Sequence, residues 1–279
     1  MGFDTETVEG LPYTCQMADS AGNSEVVECY GRAEVVRAQF AKLFDKLPAR
    51  GFAVAAAHYL RFDIQVLFRD RPEFFAGIGE VNWKDENGLH WKGSSGWPTI
   101  FAIVRYQGKT LLLLDTFRFF FGGLARVCKD LNIETQKLER PACIAENRAP
   151  TPAELEYFLD YALTDAVAVL DVLRWVVKIW EMENVGPCIS IAHQAGRIFR
   201  RNYTRLGGKI VGLDAVDEFG QLAGLAAYHG GRNSVGGFPE DGRPLIVDDA
   251  AMYDVRSMYP WICAQLLPCL LYTSDAADE

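Results

Sequence analysis

The residues best suited to chemistry in this chain are carboxylates at short, regular spacings. Asp4 and Glu6 lie two apart in the β-prone run "FDTETV". Side chains at i and i+2 of a strand point to one face, so both carboxylates can meet a single cation. Asp63 sits in "RFDIQVLFRD", just past the apolar run "GFAVAAAHYL". Tyr161 and Asp165 stand four apart in "YALTD", on one face of a helical pattern. Read singly, each has an ordinary alternative. Asp-x-Glu is commonly a solvated pair, Asp63 an acid favoured near a helix N-terminus, and Tyr161 with Asp165 a half-buried ring beside a surface acid. Their conjunction is more specific than any one of them.

The elements that must carry these groups read as follows. "FDTETV" and "EVVECYG" are short strands, and "RAEVVRAQFAKLFDKL" (32–47) has amphipathic helical spacing. "GFAVAAAHYL" is a buried strand, and "GWPTIFAIVRYQ" and "KTLLLLDTF" are two more, joined by a tight turn at Gln107–Gly108. The "GKT" at 108–110 is no phosphate loop, because Ile103 stands where the first glycine belongs. A long helix is predicted from Pro152 to Glu183, with Thr151-Pro152 at its start and Asn184 and Gly186-Pro187 at its end. Another helix, about 189–206, follows. Strands then helices predict an α/β domain with a mixed sheet, and a boundary falls near Asn184–Pro187.

In that order, an acid-x-acid strand, an Asp at an aromatic strand end and a Tyr-x-x-x-Asp helix resemble the three motifs of DEDD-type 3′→5′ exonucleases. The resemblance implies a ribonuclease H-like domain over 1–185: a mixed sheet flanked by helices. It implies two divalent ions, Mg²⁺ or Mn²⁺, held by Asp4, Glu6, Asp63 and Asp165, with Tyr161 orienting the attacking water. Thr7, Tyr59 and Phe62 would face the DNA strand. The second motif usually carries Asn four residues before its Asp, and Tyr59 stands there instead, where a ring can stack on a base. Only three residues precede Asp4, short for a central strand, so the expectation is a true N-terminus upstream or an internal start at Met1.

Two later stretches extend the resemblance. "AAYHGGRNSVGG" is similar to the Tyr-x-Gly-Gly-Arg element that family B DNA polymerases, especially protein-primed ones of phages, viruses and linear plasmids, place between exonuclease and polymerase domains. Tyr228, Gly230, Gly231 and Arg232 would then approach the DNA backbone. "YDVRSMYP" resembles polymerase motif A. By that likeness Asp254 and the Val255 carbonyl ligate metal, Ser257 and Met258 line the triphosphate site, and Tyr259 underlies the nucleotide sugar. Residues 186–268 would be the N-terminal part of a palm, incomplete because motifs B and C do not follow. The last stretch, "CLLYTSDAADE" (269–279), reads as a translated sequencing-adapter tail, outside fold reasoning.

The formal charge of −9 argues against a large unspecific nucleic-acid surface, yet "RIFRRNYTRLGGK" (197–209) carries five basic residues and no acid, as a solvated or phosphate-tracking face. No apolar run is long enough for a membrane span, no secretory leader is visible, and seven scattered cysteines without a C-x-x-C pair fit reduced thiols. The expected partners are a single-stranded DNA 3′ end and primer-template DNA, dNTPs and a terminal priming protein, for a monomer in the host cytoplasm. Two alternatives remain: an inert single-strand DNA-binding fragment of such a polymerase, and a free-standing RNA-trimming exonuclease. The second leaves "YHGGR" and "YDVRSMYP" unexplained.

Overall fold

Strand β1 (Gly2–Val8) reverses through Glu9 and Gly10, both at positive φ, into β2 (Leu11–Ala18), and β3 (Ser24–Glu28) follows. These three pair antiparallel. Helix α1 (Ala33–Lys46) leads to β4 (Phe52–Ala57), parallel to β1, and α2 (Leu60–Leu67) begins three residues later. Strands β5 (Glu80–Lys84), β6 (His90–Ser94) and β7 (Phe101–Tyr106) run antiparallel to one another and return the chain to β8 (Lys109–Asp115), which lies parallel to β4. A 3-10 turn (Thr116–Arg118) and helices α3 (Leu124–Asp130), α4 (Ala142–Ala145), α5 (Leu155–Met182) and α6 (Ile191–Arg205) complete the described elements. The computed structural model describes residues 1–47, 51–71, 80–94, 101–135 and 137–206, all within one compact unit, Met1–Ile210.

The eight strands form one mixed sheet in the order β3-β2-β1-β4-β8-β7-β6-β5. It is flanked by helices on both faces, the mixed-sheet α/β arrangement expected. Alternation along β4 shows why. Ala55 and Ala57 join Phe3, Phe40 and Phe44 beneath α1 and α2, while Ala56 faces the other way, towards Val169, Val172 and Val176 of α5. A central strand buried on both faces loses the apolar/polar alternation and becomes continuously apolar.

Helix α5 lies against β1 at unusually close range. A Cβ added to Gly2 would come 2.1 Å from the Ala166 carbonyl oxygen and 2.5 Å from the Leu170 nitrogen. Only glycine permits that backbone contact, and it brings the helix bearing Asp165 onto the strand bearing Asp4. The buried positions of α5, among them Phe158, Tyr161, Ala162, Asp165, Val169 and Val172, keep the three-and-four spacing of one helix face.

Several expectations meet the structure with differences. The helix expected from Pro152 starts at Leu155, because 152–154 form a turn. Thr151 still acts as its anchor: the Glu154 carboxylate accepts from the Thr151 N–H and hydroxyl, both at 2.8 Å, which is half of a capping box. The turn at Gln107–Gly108 has both residues at positive φ (48° and 78°), as a tight hairpin requires. Strands β2, β5 and β6 were not anticipated. Five of the cysteines, 15, 29, 128, 143 and 188, are buried and free. Among the described residues no helix is long and apolar enough to cross a membrane.

Candidate metal centre

Strand β1 pairs with β4 at Gly2–Ala56. No further register partner joins the two strands among the described residues, so they part towards their carboxyl ends. A crevice outside the carboxyl ends of parallel strands is where α/β sheets build ligand sites. On its other side, β1 meets a bulge in β2. The register jumps from Glu6–Thr14 to Thr7–Pro12, leaving Tyr13 unpaired, and such bulges re-aim neighbouring side chains. Alternation along β1 buries Phe3 and Thr5 on the α1–α2 side and leaves Asp4 and Glu6, both half-buried, on the other.

Asp4, Glu6 and Asp165 meet there. Each offers an oxygen within 4.8 Å of the others. Asp63 stands apart from this trio. It lies in the first turn of α2, buried, and its Oδ1 accepts a 2.8 Å hydrogen bond from the Thr5 hydroxyl. Thr5 is the residue between Asp4 and Glu6, and Asp63 remains close enough for its charge and that of Asp4 to repel.

Burial and crowding push these acids towards their protonated forms. Burial, then the Asp165 charge, raises the Asp4 pKa to about 7, although a 2.7 Å hydrogen bond from Gln16 Nε2 opposes the rise. Burial, then Asp4 and Asp165, raises Glu6 to about 8. Asp63 lies well above the usual carboxylate range through burial and then Asp4. Asp165 is raised by burial, against the pull of Lys137. The Lys137 ammonium donates to Asp165 Oδ2 at 2.7 Å and lies 5.2 Å from the centre of the Tyr161 ring. Burial works against that ammonium, but Asp165 outweighs it and keeps Lys137 charged. Tyr161, buried, is pushed up to about 12 by burial and by Asp165, so its hydroxyl stays protonated.

These residues fit a hard divalent cation. The donors are all carboxylate oxygens. Asp165 Oδ1 is buried with no protein hydrogen-bond partner, a costly state for a polar atom. A cation among the three acids would meet that oxygen and relieve the mutual repulsion. Two cavities of about 500 and 430 Å³ lie around Met1, at the opposite end of β1, and none of the four acids lines them.

The strand-facing residues expected from the sequence lie nearby in the chain. Thr7 sits at the bulge, half-buried, and Phe62 is partly exposed on α2. Tyr59 is 52% exposed and adopts a left-handed backbone (φ 69°, ψ 49°) immediately before α2. Tyr228, Gly230, Gly231, Arg232, Asp254, Val255, Ser257, Met258 and Tyr259 lie outside the described residues, as do the palm start and the tail. Three residues around the acids escaped sequence reasoning: Lys137, Gln16 and Thr5. Thr5 alone carried a signal, as the inward residue of an Asp-Thr-Glu strand. Gln16 faces Asp4 through the β1–β2 register, and Lys137 comes from a segment without regular structure.

No family model matches the chain, and no curated protein does. Among solved structures, the chain is similar to the family B DNA polymerase from the hyperthermophilic archaeon Pyrobaculum calidifontis, at 18% identity and a TM-score of 0.43. The match covers 63% of this chain and 24% of that one, so the chain corresponds to about a quarter of that polymerase's length.

Proposed function

We propose that residues 1–185 form a two-metal 3′→5′ proofreading exonuclease domain acting on single-stranded DNA ends. In the same reading, residues 186–268 begin the polymerase domain of a family B, protein-primed DNA polymerase, and 269–279 are an unrelated tail. The observation that supports this is the meeting of Asp4, Glu6 and Asp165, from a strand and a helix far apart in sequence, within 4.8 Å. Ionic interactions at the surface do not explain it, because the three repel one another in a half-buried crevice.

Asp4, Glu6 and Asp165, with Asp63 beside them, would hold the two ions. When bound, divalent ions lower the pKa of an attacking water and stabilise the leaving oxygen of a phosphodiester. The chain's own groups have separate tasks. Tyr161, neutral at any working pH, orients a water by hydrogen bonding and cannot serve as its base. Lys137 balances negative charge at Asp165 and at the phosphate brought next to it. Tyr59, Phe62 and Thr7 receive the strand, with Tyr59 stacking on a base where the family's Asn would hydrogen-bond. Primer-template DNA, dNTPs and a priming protein belong to the whole polymerase, working as a monomer in the cytoplasm of its host.

The test is incubation of a 5′-labelled single strand with the chain in Mg²⁺ and in EDTA. The proposal expects shortening from the 3′ end in Mg²⁺ alone, and none by an Asp4→Ala, Glu6→Ala variant. Equal shortening by that variant overturns the assignment. The exposed Tyr59 in place of Asn favours a second reading, an inert single-strand binder. It expects affinity that falls with salt and no turnover in Mg²⁺.

A further inference from the structure

One buried carboxylate, close enough to Asp63 for their charges to repel, has no task in the proposed chemistry. Asp115 ends β8 and is 2% exposed, opposite Ala57, the last residue of β4. Its Oδ1 accepts hydrogen bonds from two backbone N–H groups, those of Tyr59 at 2.8 Å and Phe117 at 3.0 Å. The Tyr59 side chain makes no capping bond, and Asp115 anchors the residue before α2 from a neighbouring strand. That anchor holds Tyr59 in the left-handed region, which is unfavourable for a non-glycine residue.

The next residues tighten the same clasp. His58 Nε2 donates to the Gly122 carbonyl at 2.8 Å, and its Nδ1 lies 2.9 Å from the Thr116 hydroxyl. The exits of β4 and β8 are therefore locked together by side chains. The rings that follow are arranged by this lock. Tyr59 and Phe117 meet edge to face at 5.8 Å and 88°, and Phe117 meets Phe121 at 5.6 Å and 87°. Tyr59 and Phe121 are 52% and 65% exposed, so both present ring surface to solvent on either side of Phe117. Asp63 lies one helical turn beyond Tyr59.

We infer that Asp115 is a positioning residue: by fixing the N–H groups of Tyr59 and Phe117 with one oxygen, it sets an aromatic seat on which 3′-terminal bases of a single strand stack beside Asp63. The inference rests on the exonuclease reading and gives it a substrate-side determinant. It makes stacking on rings, which every base permits, the means of holding the strand end.

The test compares two single strands, one ordinary and one with abasic 3′-terminal positions, for the wild type, Asp115→Ala and Asp115→Asn. Asp115→Ala is expected to raise KM for the ordinary strand by about tenfold, the order of one stacked base, with kcat unchanged and no change in KM for the abasic strand. Asp115→Asn keeps an acceptor oxygen and is expected to restore the wild-type KM. Equal effects on both strands, or a fall in kcat alone, overturn the seat and leave Asp115 a plain structural anchor. Where Asp115→Ala does not fold, Tyr59→Leu, which leaves the clasp intact, must show the same strand-dependent rise, and its absence overturns the inference. If the wild type degrades neither strand, the exonuclease reading has failed. Anisotropy with the same labelled strands then decides the seat alone: loss of affinity confined to the base-bearing strand supports it, and equal loss or none overturns it.

Discussion

Replacing Lys137 with Met isolates the electrostatics of the carboxylate site. Methionine keeps an apolar stem beside Tyr161 and removes only the charge. The ion pair lost is short, 2.7 Å, between side chains 28% and 6% exposed. Breaking a fully buried pair costs about 3–5 kcal/mol because one charge is left uncompensated. Here the cost is lower, about 2–3 kcal/mol, because Lys137 is partly solvated and Asp165, already raised, can take up a proton. In a unit of this size that lowers the melting temperature in EDTA by roughly 4–12 °C. The loss grows with pH, since each rise in pH makes the rescuing proton scarcer. Mg²⁺ bound at the trio takes over the role of the ammonium, so the deficit should shrink to less than half in excess Mg²⁺. Circular-dichroism melting of both proteins, in EDTA and in Mg²⁺, reads all of this. An equal deficit with and without Mg²⁺, or none in EDTA, would refute the idea that Lys137 belongs to the electrostatics of a metal site.

The remaining predictions concern the acids and the helix that meets them. Asp4 and Glu6 titrate at about 7 and 8 in the folded chain against ordinary values of 3.8 and 4.5, so the folded state binds more protons between those limits. Metal-free stability is therefore full below pH 4 as far as these groups are concerned, and is lost as pH rises through 7 and 8. Melting in EDTA across that range checks it, and Mg²⁺ should restore most at the alkaline end. An Asp4→Asn, Glu6→Gln variant should melt higher than wild type in mildly alkaline EDTA and lose the Mg²⁺-induced shift. Gly2→Ala forces α5 off β1 and should cost about 1–3 kcal/mol in denaturant melts. It should also weaken Mg²⁺ binding, because Asp165 moves with the helix.

The acids were legible because their spacing obeys the geometry of single elements. Asp4 and Glu6 share a strand face, and Tyr161 and Asp165 share a helix face, whatever the rest of the chain does. The partners that tune them are not local. Lys137 reaches Asp165 from an irregular segment with no period to read. Gln16 meets Asp4 only through a strand register, and β2 itself was hidden because Thr14, Cys15 and Gln16 are buried in succession. Helices α1 and α5 both contact that strand, which removes the alternation that marks a one-sided one. The β5–β6 hairpin was hidden for another reason. Its turn is held by one buried side chain, Asp85, which accepts from the N–H groups of Asn87 and Leu89 and from the Trp91 indole. Sequence order also treats the four acids alike, whereas the fold gathers three and ties Asp63 to Thr5.

Binding of a divalent cation by Asp4, Glu6 and Asp165 is open to anomalous diffraction from crystals grown in Mn²⁺. The expected result is a manganese peak within bonding distance of all three carboxylates, lost in the Asp4→Asn, Glu6→Gln variant. A wild-type crystal in Mn²⁺ with Lys137 still on Asp165 and no peak among the three acids would contradict it.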